Sequence, residues 1–420
     1  MVTRLKPRVS YGVNGNIDAL TIDNDYYWLL GKYSVQSPYN GKKGYVNTSV
    51  PLYYLKWEKA TTLNFGLDLG LFNNRVNFLV DYFIRDIYDK LADQRIPIST
   101  GFSSVKINNG TLQNRGIEIE ANFKVINTDN IKWNIGANFT RIRSFVKKLP
   151  YNGNDNNRIG GQEIWDPSNP TQTMYVGGRQ EGERVGDDLV VGYQDEGVYH
   201  NQAELEADKD RKIQFYAGTI PTANRKPIVG DTRWKDVNGD GIIDSRDRVV
   251  LGRTTPDFIG GFTTDFTYKN INLFVKTDYA VGHLINNAVR TRGISQVQGN
   301  MNWTSEIKDT WTPENPNANI PRYDFTDPRG NHKAGGEGQY SASSRYWEKG
   351  DYLALREITL SYNLPGAAVN NAFKDIRLFV SGTNLAYFTK YTGYSPEKGG
   401  WDSGRFPLPR SFTFGINATF

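Results

Sequence analysis

The 420-residue sequence contains no cysteine, which excludes disulfide scaffolding, thiol catalysis and cysteine-ligated metal sites. No window approaches the about 18 uninterrupted apolar residues that a membrane helix needs, so any membrane span must be built of strands. Histidine is scarce: His200, His283 and His332 are far apart and show no metal-ligand spacing. There is no Gly-x-Ser-x-Gly elbow and no phosphate-binding loop. Acidic neighbours such as Asp187 and Asp188 are expected by chance among 45 carboxylates, so they do not argue for a glycosidase dyad. The 50 basic residues are spread along the chain without a block that would mark a nucleic-acid site. Nor does the first segment, Met1-Val-Thr-Arg-Leu-Lys-Pro-Arg8, contain the apolar core of a secretory signal. Catalysis is therefore not expected, and if the protein is exported, its signal is expected upstream.

What is present is aromatic and alternating. Hydrophobic residues make up 38% of the chain and mean hydropathy is −0.58, yet there are 25 Tyr, 21 Phe, 9 Trp and 42 Gly. A wet-lined transmembrane barrel has this mix, because lipid-facing apolar residues alternate with polar inward ones and aromatics gather at the interfaces. A tyrosine-rich soluble β-protein has it too, so composition leaves both open.

Periodicity separates them. Period-2 alternation predicts four hairpins: 62–71 with 76–84, 117–125 with 133–139, 260–268 with 271–279, and 358–364 with 376–380, the last turning at Pro365-Gly366. Adding 5–12 and a final strand 411–420 gives ten strands. On that final strand Phe412, Phe414, Ile416, Ala418 and Phe420 share one face. Between the hairpins run long polar connections at 14–59, 89–112, 143–257, 282–351 and 389–410. Short and long connections thus alternate, as periplasmic turns and extracellular loops do in an outer-membrane barrel. A soluble sandwich gives no reason for such order, and connections longer than about 15 residues are uncommon in compact domains. The fold expected is all-β, a transmembrane antiparallel β-barrel, with residues 1–420 forming one barrel portion.

Several stretches carry a resemblance. Leu5-Lys-Pro-Arg-Val-Ser-Tyr-Gly-Val-Asn-Gly-Asn16, Trp57-Glu-Lys59 followed by Thr61-Thr-Leu-Asn-Phe-Gly-Leu-Asp68, and Thr100-Gly-Phe-Ser-Ser104 with Asn114-Arg-Gly-Ile-Glu118 are three of them. Tyr352-Leu-Ala-Leu-Arg-Glu-Ile-Thr-Leu-Ser-Tyr362, Ser381-Gly-Thr-Asn-Leu385 and Thr389-Lys-Tyr-Thr-Gly-Tyr394 with Pro396-Glu397 complete the set. Together, in this order, they resemble the SusC/RagA family of TonB-dependent outer-membrane proteins from Bacteroidetes. The resemblance implies the C-terminal portion of a 22-stranded barrel, with the plug, the TonB-contacting segment and about half the strands absent from this chain. It also implies an outer-membrane location, TonB acting through the missing N-terminal part, a SusD-like surface lipoprotein as partner, and import of oligosaccharides or peptides. Polar residues such as Asp68, Asp81, Glu118 and Glu120 would face the lumen.

Two local groups stand out. Asp236-Val-Asn-Gly-Asp-Gly-Ile-Ile-Asp-Ser-Arg-Asp247 places oxygen ligands at Asp236, Asn238, Asp240, Asp244 and Asp247 and the carbonyl of Ile242, with Gly241 at the sharp turn. This is the spacing of an EF-hand-like Ca2+ loop, with Asp in place of the bidentate Glu at the last position. The alternative is a turn held by side-chain to backbone bonds. Tryptophans 28, 165, 234, 303, 311, 347 and 401 fall in connections. They either stack on sugar rings or pack the loops, and Trp401 beside Asp402 and Arg405 is the candidate ligand group. A competing reading of the whole is a secreted glycan-binding or glycan-cleaving β-protein with a dockerin-like calcium loop. Dockerins ordinarily need two such loops, and the sequence has one.

Overall fold

A computed structural model of the chain describes residues 1–16, 30–214, 226–295, 302–324, 327, 329–332, 342–364, 373, 375–397 and 399–419. Ten long strands form one hydrogen-bonded sheet: β1 (Val2–Asn16), β2 (Glu58–Leu71), β3 (Val76–Arg95), β4 (Ser104–Asn127), β5 (Ile131–Lys148), β6 (Phe258–Tyr268), β7 (Ile271–Val281), β8 (Tyr352–Leu364), β9 (Asp375–Thr389) and β10 (Ser411–Thr419). Neighbours in this sheet are neighbours in sequence, an up-and-down meander. All ten strands coincide with those expected from the alternation. Phe420, the Pro365-Gly366 turn and Trp28 lie outside the described residues.

Registers show why alternation sufficed. Leu63 faces Ile84, Phe65 faces Tyr82, Leu67 faces Val80 and Leu69 faces Phe78, so the apolar rows of β2 and β3 lie side by side. The same row appears across β9 and β10, where Leu378 faces Ile416 and Val380 faces Phe414. These apolar residues stay part-exposed within the sheet, Phe65 at 45%, Leu378 at 38% and Val380 at 43%, and more so on its edge strands, where Phe414 is 76% exposed. A sheet that exposes one apolar face along its length is matched to lipid.

Two expectations about the connections change. The stretch 89–112 is not a long loop, because β3 continues to Arg95 and β4 begins at Ser104, with Ala92 facing Ile107, Asp93 facing Lys106 and Arg95 facing Ser104. Asp89 at φ 55° makes an irregularity between Ile87 and Lys90, after which pairing resumes. The turn that remains is 96–103. Pairing beyond the membrane-length segment is carried by polar residues, and their mixed pattern hid it from a reading based on apolar alternation. The strict contrast of short and long connections therefore fails at this one place. The connection 143–257 likewise begins later, since β5 runs to Lys148.

The chain divides into two compact units. The first comprises 1–123, 138–160 and 178–185; the second comprises 124–137, 161–177 and 186–420. In the first, β1 to β4 dominate, and fully buried side chains are few, Val146 among them.

The second unit contains the real core, and it lies in the connections. Leu189–Tyr193 pairs with Arg248–Arg253, and Asp195–Val198 with Thr232–Trp234. Leu284–Asn287 is flanked by Trp347–Lys349 and Gly400–Asp402. Tyr193, Ile213, Trp234, Ile243 and Ala342 form one buried cluster, and Ile294, Ile320 and Tyr346 another. Tyr346 is fully buried, and that burial pushes its hydroxyl far above the usual phenol range. Within this unit the described parts of 186–257 and 282–351 are thus folded against each other rather than being open loops.

Candidate functional site

The polar face of the first strands is an ion network. Arg8 donates from Nε to Asp68 at 2.9 Å and from Nη2 to Asp81 at 3.0 Å, and Arg4 reaches the other oxygen of Asp68 at 3.0 Å. Asn64 donates to Asp81 at 3.2 Å. Register explains the grouping: Arg8 faces Gly66, Gly66 faces Asp81, and Asp81 faces Glu118. Gly66 leaves room for this pair: a Cβ would sit 2.7 Å from both the Arg8 guanidinium carbon and an Asp81 oxygen, so any larger residue would displace these side-chain ends. Of the four acids expected on this face, Asp68 and Asp81 share one arginine, while Glu118 and Glu120 extend the row along β4 and are exposed.

A second polar knot was not foreseen. β8 has an irregularity between Leu355 and Glu357, which leaves Arg356 out of the regular pairing. Its guanidinium binds Asp278 of β7 through Nε and, at 2.8 Å, through Nη2. Nη2 also meets Glu397 at 2.5 Å, and Nη1 donates to the Tyr387 hydroxyl at 3.1 Å. The last connection is thereby tied to three strands. Arg356 and Glu397 both belong to motifs of the family resemblance, but nothing in their spacing said that they meet.

The Asp236–Asp247 loop is closed by its own backbone. Asp236 accepts from the N–H of Gly239 and of Gly241, each at 2.8 Å, and Asp240 accepts from Ile242 N–H at 2.7 Å. Asp247, fully buried, accepts from Val237 and Asp244 N–H at 2.9 and 2.7 Å. Burial, with Asp244 and Asp236 nearby, pushes the Asp247 carboxyl up to about 6 against the pull of those N–H donors. Asp244 instead holds the Arg246 guanidinium at 2.8 Å. Ile242 and Ile243 pair in parallel with Lys212 and Ile213, and the Ile243 side chain is buried in the loop core. All the side-chain donors are oxygens, which suits a hard cation. Among the described residues no three Asp, Glu or His side chains gather as a metal-holding group.

The candidate ligand group divides. Trp401 is 41% exposed, whereas Asp402 beside it is buried and accepts from the Tyr391 hydroxyl at 2.7 Å and from Gly404 N–H at 3.0 Å. Burial alone would raise the Asp402 carboxyl, but the Tyr391 hydroxyl and backbone N–H groups outweigh it and hold it low. Arg405 is exposed. Asp402 is therefore a buttress for the loop that presents Trp401. Trp234 packs in the core at 1% exposure, and the Arg246 guanidinium lies 4.3 Å over Trp165. The histidines stay apart: His200 touches Glu204, His283 contacts the Pro396 carbonyl, and His332 meets the Tyr346 hydroxyl.

Comparison with known proteins agrees with this architecture. Residues 4–179 match the family model "TonB dependent receptor-like, beta-barrel". TonB-dependent receptor P3 of Formosa agariphila is 30% identical over 445 residues, an alignment covering all of this chain and 40% of that protein. TonB-dependent receptor SusC of Bacteroides thetaiotaomicron is 26% identical over 437 residues, again covering all of this chain and 38% of that protein. The chain thus spans about two fifths of the length of these curated relatives. Among solved structures, the RagAB peptide importer in its open-open state superposes with a TM-score of 0.72 at 22% identity, covering all of this chain and 40% of that one, a likeness of fold. With residues 4–179 matching that barrel model and its whole length aligned to such receptors, this chain is the β-barrel portion of a TonB-dependent receptor, a protein of the outer membrane.

Proposed function

We propose that the chain supplies part of the wall and outer loops of a transporter that imports oligosaccharides, or peptides, across the outer membrane. In this reading TonB drives transport through a part of the protein beyond this chain, and a SusD-like lipoprotein captures cargo at the long loops. The observation that carries it is the two-faced sheet. One face exposes Leu5, Phe65 and Phe414, and the other holds the Arg4, Arg8, Asp68 and Asp81 network. Such a wall separates lipid from a polar interior. Within the long loops, Trp401 is the proposed sugar-stacking platform, with Asp402 fixing its loop and Arg405 exposed nearby.

Deleting the gene for the full-length protein and testing growth on single oligosaccharides and peptides is the decisive experiment. Growth on one cargo class is expected to fail and to return with the full-length gene, but not with a version lacking its TonB-contacting segment. Unchanged growth on every cargo would remove the import reading.

We also propose that Ca2+ orders the loop, held by Asp236, Asn238, Asp240, Asp244, Asp247 and the Ile242 carbonyl. The ligand spacing supports it, as does the fixing of the loop on the core through Ile243. Calcium titration of the full-length receptor should saturate and should weaken in Asp236→Ala and Asp240→Ala. Equal affinity in all three proteins would refute it.

A further inference from the structure

The first unit holds an open cavity of about 860 Å³ at the ends of β3, β4 and β5. Its wall has an unusual charge content for a chain with nearly balanced charge. Lys90, Arg95, Lys106, Lys148, Arg158 and Arg179 line it, and Asp93 is its one acidic residue. Asp93 is already engaged by Lys106 at 3.2 Å, and Lys90 is held at 3.3 Å by Glu58, which lies outside the wall. Arg95 and Lys148 make no ion pair among the described residues, so the cavity keeps a net positive charge. Cations lining a concave, partly apolar wall reinforce one another's potential and favour an anion. Leu112, Leu149 and Pro150 supply that apolar surface.

The cavity lies where β3 and β4 continue past the irregularity at Asp89, with Lys90 opposite Gly110, Asp93 opposite Lys106 and Arg95 opposite Ser104, all in the wall. Its volume is within the range of about 300–1,000 Å³ typical of small-ligand pockets. Ser103, Ser104 and Thr111 add hydroxyl groups suited to a hydroxyl-rich ligand. Strand addition by a peptide is not available between β3 and β4, which stay paired from Asp93–Lys106 to Arg95–Ser104.

We propose that this cavity binds an acidic oligosaccharide, with Arg95 and Lys148 as its principal contacts to carboxylate or sulfate groups. Arginine can grip either group with two parallel N–H donors, and lysine adds a point charge. The inference deepens the import reading and takes from it only the idea that the ligand is cargo.

The test measures calorimetric binding by the full-length receptor in detergent. The probes are trigalacturonic acid, its trimethyl ester, a sulfated chondroitin disaccharide with its desulfated form, and tri-glutamate. The trimer should bind at least about tenfold more tightly than its ester, and its affinity should fall as salt rises from about 50 to about 500 mM. Tighter binding of the sulfated disaccharide than of its desulfated form would add sulfate to carboxylate as a recognised group, and the reverse would restrict the site to carboxylate. Arg95→Gln/Lys148→Gln should lose about tenfold for the trimer and nothing for the ester. Both positions are exposed, so this variant is expected to fold, and an unchanged thermal melt checks that. Equal binding of acid and ester, no binding of the acid at millimolar concentration, an unaffected double variant, or tri-glutamate binding as tightly as the trimer would each overturn the proposal. Those outcomes leave TonB-dependent uptake untouched, whereas loss of TonB dependence would sink import while leaving the binding difference in place.

Discussion

Replacing Arg345 with methionine should loosen the contact between the two longest connections. The Arg345 guanidinium meets Asp195 at 2.5 Å, with the two side chains only 10% and 8% exposed. Around them, Asp195 accepts Gly197 N–H at 2.8 Å, and Arg345 donates to the Asn319 carbonyl at 2.6 Å. Burial already raises the Asp195 carboxyl above its usual range, against the attraction of Arg345. Without the arginine, a carboxylate remains buried and uncompensated, which costs about 3–5 kcal/mol. A barrel does not unfold globally for such a change, so the loss should appear as local opening. Hydrogen exchange of the full-length receptor should therefore quicken by about a hundredfold or more over 193–199 and 342–347 near neutral pH. The sign with pH follows from the raised carboxyl: the folded state binds a proton more readily than the opened one. The defect should accordingly shrink as pH falls through the raised value toward the ordinary carboxylate range. Adding Asp195→Asn should recover most of the protection, since the amide carbonyl still accepts from Gly197. Equal exchange in single and double variants, or a defect independent of pH, would refute the reasoning.

Three further outcomes are expected. In the metal-free receptor the Asp236–Asp247 loop should gain local stability as pH falls from about 7 to about 4, by at most about 3 kcal/mol, because the folded carboxyl of Asp247 titrates near 6. Asp247→Asn should flatten that profile in hydrogen exchange. Trp234→Ala should cost about 3–5 kcal/mol of local stability by leaving a cavity in the loop core, whereas half-exposed Trp401→Ala should cost under about 1 kcal/mol and instead weaken saccharide binding, both read by exchange and titration. Arg8→Met should leave Asp68 with Arg4 alone and Asp81 without an arginine, and lower the temperature at which the barrel loses its fast-migrating form in gel electrophoresis, while an unchanged temperature would mean that Arg8 adds no stability.

How much was legible in the sequence differs between the two faces of the protein. The ten strands, their hairpins and the apolar row from Leu63 to Leu69 followed from period-2 alternation, because lipid on one side and polar groups on the other impose a fixed face on every residue. The acids Asp68 and Asp81 were placed on the polar face for the same reason. The oxygen spacing from Asp236 to Asp247 was equally visible, since its partners lie within a dozen residues.

Tertiary structure decided what lies far apart in the chain. That Arg8 joins Asp68 to Asp81, that Arg356 reaches Glu397, and that Asp195 finds Arg345 depend on registers, an irregular pairing and loop docking, none of which leaves a local pattern. The extension of β3 and β4 was hidden because paired strands beyond the membrane need no apolar alternation. Burial was likewise decided by the fold: Trp234 and Tyr346 lie in the core, while Phe412 and Phe414 are exposed. Sequence determines which residues are apolar; whether lipid or protein covers them is settled only when the chain folds.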